Sequence, residues 1–126
     1  MAGTNLRTVG QLLTGTSATV VYTCPAHYDA IIRTLHINNL HSSAVNLTIK
    51  AVLSSTDLPI VTTHSMATDT LLDVLNSNPI ALNAADTVVV TAGTANKLNV
   101  VVTVEEVFTG VKWKIFNNNL FLVMVD

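Results

Sequence analysis

The feature that most constrains this chain is alternation. In AVNLTIKAV (residues 44–52), Val45, Leu47, Ile49 and Ala51 take one parity, and Asn46, Thr48 and Lys50 the other. LNVVVTVEE (98–106) repeats the pattern with Leu98, Val100, Val102 and Val104. A period of two belongs to a strand with one face buried. DTVVVTA (86–92) is β-branched, which suits a pleated surface. SATVVYTC (17–24) and DAIIRTLHINN (29–39) complete the strong candidates, and weaker strands are expected near 58–64, 70–75 and 79–82. TDTLLDVLNS (68–77) has a weak helical reading, but its Thr, Asp and flanking turns favour strand. Turn-forming stretches separate the segments: Pro25, NNLHSS, SSTDLP, NSNP and AGTANK. The spacing predicts an all-β domain, a single β-sandwich or jelly roll of seven or eight strands.

The ends differ from the middle. Residues 1–16 are small and polar, with Leu6, Val9, Leu12 and Leu13 interspersed, and read as an N-terminal arm. Residues 17–110 read as the sandwich domain and 111–126 as a C-terminal hairpin that serves assembly. In that hairpin Val111, Trp113 and Ile115 alternate with Lys112 and Lys114, and Asn117–Asn119 form the expected turn. Leu120, Phe121, Leu122, Val123, Met124 and Val125 are apolar at every position. A strand apolar on both faces must be covered on both. Trp113, Ile115 and Leu120 to Val125 are therefore the candidate oligomer interface.

Composition supports hidden surface. The chain has 126 residues, of which 49% are hydrophobic and 11% charged. A typical soluble domain is about 25% charged, so part of this surface is expected to lie against partners. Six basic and eight acidic residues are thinly spread, with no basic cluster for nucleic acid. No apolar run approaches the ~18 residues of a membrane span. The start lacks the basic-then-apolar pattern of a signal peptide. Expected partners are copies of the chain and other structural proteins, without nucleic acid or membrane.

The single cysteine, Cys24, precedes His27 by three residues and His36 by twelve. Blue copper would need a Met shortly after the His, and the next one is Met66. Structural zinc wants four N or S ligands, to be drawn from Cys24, His27, His36, His41 and His64. His36 shares parity with Thr34 and Asn38, away from the core side, and His41 sits in a turn. Cys24 thus reads as a small buried hydrophobe, and no metal or cofactor is expected. Pro25 biases Cys24 to extended geometry, and Pro-Ala-His-Tyr turns the chain. Asp86 reads as a turn acceptor rather than a catalytic acid. Glu105 and Glu106 point to opposite faces of their strand, a poor acid–base pair that reads as a solvated strand end. No phosphate loop, His-Glu-x-x-His helix or Gly-x-Ser-x-Gly elbow occurs. No catalytic residues are expected.

VYTCPAHYDAIIRTLHINNLHSSAVNLTIKAV (21–52) and PIALNAADTVVVTAGTANKLNVVVTVEEV (79–107) resemble small β-sandwich structural proteins of tailed-bacteriophage virions. The likeness spans roughly residues 17–108. It departs at His27, where a Gly or another small turn residue is usual. It implies a non-enzymatic virion part: a capsid decoration protein or a neck, tail or baseplate component. It also implies a homotrimer that docks on the major capsid protein or on neck and tail proteins. The alternative is a tail-fibre-like or lectin-like module that binds host glycans through aromatics such as Trp113.

Overall fold

The computed structural model describes residues 4–109, 111–116 and 119–124. Eleven strands follow one another: β1 (Thr4–Leu12), β2 (Thr19–Thr23), β3 (Tyr28–Asn39), β4 (Val45–Leu53), β5 (Thr56–Met66), β6 (Leu71–Asp73), β7 (Ile80–Leu82), β8 (Thr87–Ala92), β9 (Leu98–Phe108), β10 (Val111–Phe116) and β11 (Asn119–Met124). Nine of them build two antiparallel sheets. One has the order β1-β9-β3, with β6 and β7 sharing the far side of β3; the other runs β2-β8-β4-β5. Asp73–Leu71 face His36–Asn38 of β3, and Leu82–Ile80 face its Ala30–Ile32. Taken as one interrupted strand, β6 and β7 make eight strands that, apart from the β4–β5 hairpin, alternate between sheets in the order of a jelly roll. The expected β-sandwich is thus present, with nine strands in its two sheets.

The alternation does the work predicted for it. Val45, Leu47, Ile49, Leu98, Val100, Val102 and Val104 are all buried, while Asn46 is exposed and Lys50 half-exposed. Among the described residues the hydrophobic core runs in sequence from Leu13 to Val104. Each large side chain in it contributes roughly 1.5–3 kcal/mol, and a single polar substitution on this parity puts an unpaired group among them.

The N-terminus differs from its sequence reading. Residues 4–12, read as part of an arm, form β1 along the edge of β9, from Thr4↔Val107 to Leu12↔Asn99 without a register shift. Leu6, Val9 and Leu12 do not keep one parity, so the pattern that revealed the other strands is missing. Backbone pairing and two anchors hold β1 instead: buried Leu13, and Arg7 on Glu106. Asn119, expected within the turn, already pairs with Phe116 in the hairpin.

Candidate assembly surfaces

Polar groups inside the sandwich are spent on structure. Asn39 is buried, and its Nδ2 donates to the carbonyls of Ser43, Met66 and Ala67, each at 3.1 Å. Its Oδ1 accepts from the His41 N–H. Asp86 accepts from the Ser54 and Asn83 N–H groups, both at 3.0 Å, which is the turn role expected of it. Neither side chain is free for chemistry.

Glu106 is the exception to the expectation of a solvated strand end. It is 4% exposed, on the same inward parity as Val100, Val102 and Val104. Arg7 on β1 holds it in a fork, Nε to Oε1 at 3.0 Å and Nη2 to Oε2 at 3.1 Å. The Tyr22 hydroxyl on β2 donates to Oε2. Burial works to raise the Glu106 pKa, but hydrogen bonds from Arg7 and Tyr22 outweigh it and hold the carboxyl below its ordinary value. Burial and the Glu106 charge push the Tyr22 phenol upward. The cluster pins β1 to β9 and ties one sheet to the other. Glu105 points outward, as its parity requires, and meets Arg33 at 2.9 Å.

Cys24 is buried, and burial first, then the charges of Asp29, Glu106 and Asp86, pushes its thiol up to about 11. It is a poor thiolate at neutral pH. His27 takes a left-handed conformation (φ 67°) within the Pro25–Tyr28 turn, closed by Tyr28 N–H to the Pro25 carbonyl. His36 faces outward toward Asp73, 3.8 Å away. Among the described residues no group of three or more His, Cys, Asp or Glu is placed to hold a metal. Tyr22 is buried, and the half-buried Tyr28 and Phe108 stack edge-on at 5.2 Å.

Four of the eight exposed large apolar side chains among the described residues share one face. Cross-strand partners line up as Leu12–Asn99–Asn38–Leu71 and as Gly10–Val101–His36–Asp73. Leu6, Leu12, Leu71 and Val101, between 39% and 66% exposed, therefore sit on the outer face of the β1-bearing sheet. On the other sheet β5 is exposed along nearly its whole length, with Leu58 and Ile60 bare.

Of the residues proposed for the oligomer interface, Trp113 and Ile115 lie on β10 and Leu120, Phe121, Leu122, Val123 and Met124 on β11. Their side chains, and Val125 entirely, lie outside the described residues. The register pairs Val111 with Met124, Trp113 with Leu122 and Ile115 with Leu120, so one alternate set of positions is wholly apolar. The other set pairs Lys112 with Val123, Lys114 with Phe121 and Phe116 with Asn119. Among the described residues, β10 and β11 form a two-stranded sheet of their own.

No family model and no curated protein matches the chain by sequence. Solved structures do resemble it. One is a chain of the acid-stable capsid of Helicobacter pylori bacteriophage KHP30, with a TM-score of 0.51 and 9% identity, over 99% of this chain and 100% of that one. Another belongs to the disulfide-linked pili of Bacillus endospore appendages, with a TM-score of 0.50 and 14% identity, over 86% and 88%. At such identities the likeness is one of fold.

Proposed function

We propose that this chain is a non-enzymatic structural protein of a tailed-phage virion, which self-associates as a homotrimer and docks on the capsid, neck or tail. The observation that carries the reading is the end-to-end fold likeness to a phage-capsid chain, 99% of one against 100% of the other. It is supported by the low charge of the sequence, by the exposed leucines on one sheet face, and by polar clusters that serve the fold. The mechanism is burial. Large apolar side chains of the hairpin leave water at a subunit contact, at roughly 1.5–3 kcal/mol each before the cost of ordering them. Repetition over a particle turns such contacts into firm attachment. Native mass spectrometry of the purified chain should give three copies, and the protein should co-sediment with intact virions. A monomer that is absent from washed particles overturns the proposal.

A further inference from the structure

Resting on the reading of the hairpin as the assembly element, we propose its acceptor: the free edge of β1 in a second copy of this chain, to which β11 adds as the next strand. The edges of the sandwich are unequal. β2 is five residues long, with a register shift between Val20 and Tyr22. β6 and β7 have three residues each. β5 carries Pro59, two register shifts and Thr63 at φ 48°. Short length, bulges and proline are the devices that stop an edge from taking another strand. β1 is neither short, bulged nor broken by proline. It runs nine residues in unbroken register, and its one charge, Arg7, is 47% exposed but paired with Glu106.

The direction of its backbone groups follows from the ladder. The Leu13 N–H donates to the Leu98 carbonyl, so Leu13 faces β9. Alternation then points the N–H and C=O groups of Leu12, Gly10, Thr8 and Leu6 away from β9, along the open edge. The side chains of Leu6 and Leu12 are exposed on the outer face beside them.

The donor has the complementary defect. A lone two-stranded hairpin is marginal in water and needs a third strand or a covering surface. Residues 109 and 110 alone separate β9 from β10, a length that joins neighbouring strands. Yet both edges of β9 are occupied, by β1 and β3. With β11 against the β1 of its own chain, β10 would start three strand spacings from β9, about 14 Å, beyond the roughly 11 Å that residues 109 and 110 can span. The hairpin is therefore fitted to the edge of another copy. Within it, β10 carries Lys112 and Lys114 while β11 carries no charge. With β11 against β1, the lysine-bearing strand becomes the new outer edge, where lysine discourages further addition. Both alternate sets of β11 then gain neighbours, Leu6 and Leu12 on one face and half-buried Val9 on the other. Such a donor-to-acceptor contact is heterologous, and its closed form is a ring.

Three chains test this. Gly10→Pro removes one free-edge N–H and no bond to β9, in open space where the nearest atom to an added Cβ is the Val100 carbonyl oxygen at 4.0 Å. Gly10→Ala keeps the N–H. A chain ending at residue 110 retains every described residue of the hydrophobic core. Gly10→Pro and the shortened chain should each sediment as folded monomers, and Gly10→Ala should assemble. Mixed together, Gly10→Pro, which has a hairpin but a blocked edge, and the shortened chain, which has an edge but no hairpin, should form a 1:1 complex. If Gly10→Pro assembles normally while the shortened chain stays monomeric, the hairpin docks elsewhere and this proposal falls alone. If the shortened chain assembles, the hairpin reading falls with it. Should Gly10→Pro not fold, hydrogen exchange on wild-type chains decides. The amides of Leu6, Thr8, Gly10 and Leu12 should exchange at least about 100-fold more slowly in the assembly than in the shortened monomer. Equal rates overturn the proposal.

Discussion

Replacing Arg7 by Met keeps the aliphatic stem and removes the fork that holds Glu106. The carboxylate is 4% exposed and would be left with the Tyr22 hydroxyl as its chief partner. Breaking a fully buried ion pair costs about 3–5 kcal/mol. The Arg7 side chain is 47% exposed, so water replaces part of what it gives, and about 2 kcal/mol is the expected loss. For a chain of this size that lowers Tm by about 8 °C. The pH dependence is more telling. The folded pKa of Glu106 lies below its unfolded value of about 4.3. Its contribution is therefore complete above that pH and is lost as pH falls through the folded value. Without Arg7, burial raises the pKa instead, and acid relieves the variant. Urea unfolding should be measured on chains ending at residue 110, so that association plays no part. The gap between wild type and Arg7→Met should be about 2 kcal/mol at pH 7 and should shrink markedly by pH 3. A gap unchanged with pH refutes the argument that a buried, Arg7-stabilised carboxylate pins β1.

Further substitutions probe the rest of the account. Leu47→Asp places a carboxylate at a 1% exposed position between the sheets and should abolish folding, read as loss of the β-sheet circular dichroism signal. Lys50→Asp only exchanges a surface pair with Asp57, 2.7 Å away, for a repulsion and should cost no more than about 1 kcal/mol in urea unfolding. Asn39→Leu removes the bonds to three carbonyls and one N–H, of which the Ala67 carbonyl keeps the Thr70 hydroxyl, and should cost about 3 kcal/mol by the same assay. Cys24→Ser should leave the assembly state unchanged on sedimentation, and elemental analysis of the wild type should find no stoichiometric zinc or copper.

Strands with one buried face were legible because burial writes a period of two into the sequence. β4 and β9 were read within two residues of their bounds, and the Thr87–Ala92 strand within one. β1 was not, since a strand exposed on both sides carries no such period; its partner, β9, lies some ninety residues away. Glu106 was missed for a related reason. Its parity placed it inward with Val104, yet a carboxylate there is tolerable only with Arg7, and the two are 99 residues apart. The Cys24–Tyr28 turn and the Asp86 acceptor were readable because local chain chemistry fixes them. The apolar pattern of β11 announced a need for cover, and on the proposed reading the surface that supplies it belongs to a second chain.

Sedimentation velocity of the full chain beside the chain ending at residue 110 tests the central claim most directly. The full chain should run as a trimer at concentrations where the shortened one, with an unchanged β-sheet spectrum, runs as a monomer. Equal oligomeric states for the two would contradict the claim that this jelly roll assembles through its C-terminal hairpin.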